Sequence, residues 1–109
     1  MDCEVKSSYN EAEIRWDVDV SGEIDIFNSE TFKETLIALI SQNETGIHIN
    51  CAELSYIDST GLGALVSVLK KVRLYGGDIV LSNLKHTISK LFKITNLDKA
   101  FVMEGDVIE

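Results

Sequence analysis

Proline is absent from this 109-residue chain, and cysteine occurs only at Cys3 and Cys51. Without proline there is no polyproline spacer and no obvious linker at which to divide the chain. The two cysteines stand far apart, forming neither a CxxC pair nor a zinc pattern with the only histidines, His48 and His86. Redox and metal chemistry therefore have no sequence basis, and Cys51, inside "IHINCAEL", reads as a small buried apolar residue. Long apolar runs are also missing. The longest uninterrupted one, "LIALI" at 36–40, is too short to span a bilayer, and "MDCEVKSS" lacks a basic start followed by an apolar stretch. A soluble cytoplasmic protein is expected. Positive charge is scarce, 10 Lys and Arg against 18 Asp and Glu for a net charge of −8. Such a surface repels nucleic-acid phosphates and anionic lipid headgroups, so neither nucleic acid nor membrane is expected as a partner.

What is present suits one folded domain over residues 1–109: 45% apolar and 26% charged residues, without internal repeats or low-complexity runs. "CEVKSSYNEAEIRW" predicts a first strand and a turn at Tyr9-Asn10-Glu11. Ile14, Trp16, Val18 and Val20 alternate against Arg15, Asp17 and Asp19, which predicts a half-buried strand ending near Ser21-Gly22. From a cap at Asn28 or Ser29, the spacing of Phe32, Leu36, Leu39 and Ile40 predicts a helix, with Thr45-Gly46 on its far side. Ile47, Ile49 and Cys51 alternate as a central strand. Leu62, Leu65, Val66, Leu69 and Val72 predict a second helix, closed by basic residues and Gly76-Gly77. "DIVLSNL" reads as a short buried strand, "KHTISKLFKITNL" as a third helix with Ile88, Leu91 and Phe92 on one face, and "AFVMEG" as an edge strand. The order β-β-α-β-α-β-α-β implies an α/β fold with a mixed sheet and helices mainly on one face.

The distinctive stretch is "LSYIDSTGLGAL" at 54–65, where a strand passes through Asp-Ser-Thr into Gly-x-Gly at a helix start. A hydrolase nucleophile elbow needs G-x-S-x-G, whereas Ser59 sits in Ile-Asp-Ser-Thr-Gly. A nucleotide P-loop needs Lys-Ser or Lys-Thr at its close, and no lysine follows until Lys70. A weaker anion or nucleotide site at the helix N-terminus stays open on dipole grounds. Capping by Asp58 or Ser59 accounts for part of the turn. It leaves Gly63 unexplained, because glycine inside a helix costs about 1 kcal/mol relative to alanine. The remaining reading is that Gly61 and Gly63, toward the outer side of the first turn, let another protein approach while Ser59 and Thr60 stay exposed.

"YIDSTGLGALVSVLKK" resembles the signature of bacterial anti-sigma factor antagonists, the single-domain STAS proteins. "VSGEIDIFNSETFKETL" and "GGDIVLSNLKHTISKLFKITNLDKAF" resemble the same family's second-strand turn and last strand-helix segment, in the same order. The resemblance implies a STAS fold with a mixed four- to five-stranded sheet. It also implies a non-catalytic binding protein without cofactor or metal, whose unphosphorylated form binds an anti-sigma factor that is also a serine kinase and so frees a sigma factor. Phosphorylation of the serine after the motif's aspartate, Ser59 here, would block that complex, and a PP2C-type serine phosphatase would restore it. Thr60 stands where many members carry a second serine, which leaves a second acceptor open. The implied partner-facing residues are Ser21, Gly22, Glu23, Ile24 and Asp25 in one turn and Asp58, Ser59, Thr60, Gly61, Leu62 and Gly63 in the other. Asn83 is placed on the same rim. The rival reading is a STAS scaffold subunit of a larger signalling assembly, with weak nucleotide binding.

Overall fold

The computed structural model describes residues 2–105 and 107. Five strands, β1 (Cys3–Asn10), β2 (Arg15–Ile24), β3 (Gly46–Ile57), β4 (Ile79–Ser82) and β5 (Val102–Glu104), alternate with α1 (Ser29–Gln42), α2 (Ser59–Leu74) and α3 (His86–Ile94). The strands lie in sequence order across one sheet, with β1 antiparallel to β2 and every later pair parallel. Because each parallel crossover steps in the same direction and such crossovers are right-handed, the helices collect on one face. That face holds the core. Val18 and Val20 of β2, Ile47 and Ile49 of β3, and Ile79 and Leu81 of β4 meet Leu36 and Ile40 of α1, Val68 and Val72 of α2, and Phe92 of α3. The opposite face carries Asp17, Asp19, His48 and Asn50 along shallow hollows of about 420 and 390 Å³. The mixed α/β sheet with one covered face matches the sequence expectation in element order and type.

Several local expectations differ from the structure. Ile14 does not continue the β2 stripe; it sits in the β1–β2 turn at φ 52° and is 66% exposed. The β2 strand does not stop near Ser21-Gly22 but runs on to Ile24, since Gly22 takes φ 93° and lets the chain stay paired. No other residue suits that position, because a Cβ there would lie 2.0 Å from the Asp2 carbonyl oxygen. In β3 the buried positions are Ile47, Ile49, Cys51, Leu54 and Ile57. Their spacing changes from two to three where the β2–β3 register shifts between Asp19 and Ser21 and again between Gly22 and Glu23. Each shift adds a residue to β3, a bulge that turns the strand and re-aims its end.

Burial pushes the Cys51 thiol up to about 12, while Cys3, half-buried on the edge strand, is raised by burial and then by Asp25. Thiolate is the reactive form. Ellman's reagent at pH 8 is therefore expected to label only Cys3 in the folded protein, with a second equivalent appearing in denaturant. Labelling of Cys51 at the same rate as Cys3 would contradict this packing.

Candidate functional site

The ends of β2 and β3 lie side by side, with Ile24 paired to Ile57, and the Asp58 N–H donates to the Ile24 carbonyl at 3.2 Å. The β2–α1 and β3–α2 turns therefore leave the same end of the sheet, which brings Glu23, Ile24 and Asp25 next to Asp58, while Ser21 and Gly22 pair with Glu53 and Leu54 further back along β3.

Asp58 is the N-cap of α2. It holds extended backbone angles while its Oδ1 accepts the N–H groups of Thr60 at 2.9 Å and Gly61 at 3.2 Å. The Thr60 hydroxyl donates to the same oxygen. That hydroxyl, opposed by partial desolvation and helped by the N–H groups of Gly61, Thr60 and Ile26, holds the Asp58 carboxyl below the usual aspartate range. Two consequences follow. The N–H groups of Thr60 and Gly61 at the start of α2 are already taken by the Asp58 carboxylate, so these two are not offered to a phosphate. Thr60 is half-buried and engaged, which makes it a brace for the cap, whereas Ser59 at the first helical position is exposed. No hydrogen bond within the described residues ties its hydroxyl down.

A depressed folded pKa means that the stabilising effect of Asp58 is present above the unfolded value, about 3.9, and is lost as pH falls through the lower folded value. The difference in melting temperature between wild type and Asp58→Ala is therefore expected to be widest at neutral pH and to close below about pH 4. Thermal melts from about pH 2.5 to neutral read the direction of this change. A gap that does not change with pH would mean that Asp58 acts through packing alone.

Four expected contact residues are corrected by burial. Ile24 is 1% and Leu62 5% exposed, so their side chains belong to the core beneath the site. Gly61 is buried rather than outward: a Cβ there would stand 2.6 Å from Ile57 Cγ1 and 2.8 Å from Ile24 Cγ2. Its missing side chain lets α2 seat against the two strand ends. Asp25 is buried too, with Oδ1 accepting the Phe27 N–H at 2.9 Å, and so organises its turn. Ser21, Gly22 and Glu23 are half-buried, and Gly63 is exposed with nothing within 4 Å of a would-be Cβ. Asn83 does not share the rim. It follows Ser82, the partner of Asn50, and its Nδ2 donates to Asn50 Oδ1 at 3.1 Å. Asn50 precedes Ile57 by seven residues, which is roughly 20 Å along the strand. Asn83 at φ 58° serves its own turn.

The sequence reading missed Ile26 and Phe27, exposed at 67% and 88% in the β2–α1 turn. The available signal was an apolar pair lying outside both the strand alternation and the helical stripe.

The STAS domain family matches residues 11–108. The anti-sigma-B factor antagonist of Bacillus subtilis (strain 168) is 37% identical over 97 residues, 89% of this chain and 86% of that protein. The anti-sigma factor antagonist SpoIIAA in its unphosphorylated form superposes with a TM-score of 0.73 at 21% identity, covering 95% of this chain and 90% of that one. The phosphorylated form of the Bacillus cell fate determinant SpoIIAA gives a TM-score of 0.72 at 22% identity, covering 95% and 92%. These two structures share the fold with this chain.

Proposed function

Because the chain belongs to the STAS domain family, we propose that it is an anti-sigma factor antagonist that docks through the joined β2–α1 and β3–α2 turns and is switched off by phosphorylation of Ser59. Its partners in this reading are an anti-sigma factor with serine kinase activity and a PP2C-type serine phosphatase. It performs no catalysis itself. The relative from Bacillus subtilis bears the antagonist name, and no helix among the described residues is long and apolar enough to cross a membrane.

The observation that carries the switch is the division of labour at the start of α2. Asp58 and Thr60 carry the cap, so the exposed Ser59 hydroxyl is available for modification without unwinding the helix. A phosphoryl group adds about −1.5 to −2 charges, which a helix N-terminus tolerates. Its cost falls on docking, where it must be desolvated together with Asp58 and Glu23. Thr60 is not the acceptor in this reading, since its hydroxyl is engaged with Asp58.

Incubation with the purified anti-sigma factor of the same genome and ATP tests the assignment. Peptide mass spectrometry should place one phosphoryl group on Ser59, and Ser59→Ala should keep binding while no longer being released by ATP. Phosphate on Thr60 in the wild-type protein, or ATP-driven release of Ser59→Ala, would sink it.

A further inference from the structure

Scattered exposed apolar residues are ordinary on any protein surface. Ile26 and Phe27 differ because they are adjacent, are 67% and 88% exposed, and sit on a turn that is tightly fixed. The Asp25 N–H donates to Asn28 Oδ1 and the Phe27 N–H to Asp25 Oδ1, both at 2.9 Å. Asn28 Nδ2 donates to the Glu23 carbonyl at 2.9 Å, and the N–H groups of Asn28 and Ser29 reach the Asp25 carbonyl at 3.2 and 2.8 Å. Asn28 thus spends its side chain on the turn and makes no side-chain cap to α1. The Asp58 N–H in turn donates to the Ile24 carbonyl at 3.2 Å, which ties this turn to the cap of the helix that begins with Ser59. The backbone that carries Phe27 and the cap that precedes Ser59 thus belong to one connected hydrogen-bonded frame.

A large aromatic presented to water on a turn whose backbone is already fixed leaves only its own side-chain rotation to be ordered on binding, which suits an interface hot spot. We propose that Phe27, flanked by Ile26, is the apolar anchor of the complex, seated in an apolar pocket of the anti-sigma factor next to the surface that receives Ser59. The proposal rests on the antagonist reading above. It adds the source of affinity, which the serine switch does not supply. It also explains why one phosphoryl group suffices: a dianion beside a pocket that must be dry opposes the same desolvation that the anchor needs.

Isothermal titration with the purified anti-sigma factor of the same genome, into wild type, Phe27→Ala, Phe27→Leu, Ser59→Asp and Leu74→Ala, tests it. Leu74 is 82% exposed at the far end of α2 and serves as the control. Phe27→Ala is expected to lose at least about thirtyfold in affinity with an unchanged melting temperature. Phe27→Leu should keep most of the affinity and Leu74→Ala all of it. If Phe27→Ala binds as wild type while Ser59→Asp does not, the anchor is overturned and the switch survives. If wild type itself does not bind, the antagonist reading fails and the anchor with it. Self-association of the wild-type protein that disappears in Phe27→Ala would reassign the patch to a second copy and overturn the proposal.

Discussion

Ser59→Asp, or phosphorylation of Ser59, is expected to weaken the complex with the anti-sigma factor by about thirtyfold to several-thousandfold, while the melting temperature stays nearly constant. The range corresponds to about 2–5 kcal/mol for a buried charge left without a partner at an interface. The fold is spared for local reasons. Ser59 is exposed at the first position of α2, the capping interactions belong to Asp58 and Thr60, and negative charge at a helix N-terminus is favourable. The interface is expected to bear the cost, because Asp58 lies beside the new charge and Glu23, paired with Tyr56, stands near the end of the neighbouring strand. Titration calorimetry paired with thermal melts separates the two effects. A large loss of melting temperature would show that Ser59 is structural, and unchanged binding would place the switch elsewhere.

Most of this architecture was legible because period and punctuation agreed. Val18 and Val20 alternate, Phe32, Leu36 and Ile40 follow the helical repeat, and Gly76-Gly77 closes α2, so type and order of the elements followed. Simple periods failed where the chain bends. Leu54 and Ile57 are three apart because bulges intervene, and a bulge depends on the partner strand's register, which local sequence does not carry. Ile14 fitted the alternation and yet fell in the turn, where φ 52° removes it from the pleat.

At the site, spacing marked the helix start and the cap, and the resemblance supplied Ser59. Burial was not legible. Ile24, Asp25, Gly61 and Leu62 lie in the same short segments as Glu23, Ser59 and Gly63, but the packing of α2 on the strand ends turns the former inward. Asn83 was misplaced because a strand's length past its neighbour cannot be read locally: β3 continues well beyond the end of β4.

The two glycines of "STGLG" are expected to respond to substitution with opposite signs. Gly61→Val should lose about 2–3 kcal/mol, or roughly 10–20 °C in melting temperature, because the new atoms enter a space already filled by Ile57 and Ile24. Those neighbours are β-branched core residues at the ends of β2 and β3 with little freedom to retreat. Gly63→Ala should gain about 1 kcal/mol, since its Cβ meets nothing within 4 Å and alanine is the better helix former. The sign at Gly63 carries the functional argument. In the docking reading, a glycine that weakens its own helix on an exposed surface one turn from Ser59 leaves room for the partner, so Gly63→Lys is expected to keep the fold and impair docking. Thermal melts and the same calorimetric titration decide it. If Gly63→Ala fails to stabilise, the open space is not real. If Gly63→Lys binds as wild type, the partner does not come close to α2 at Gly63, and contact with this helix must be confined to its start at Ser59.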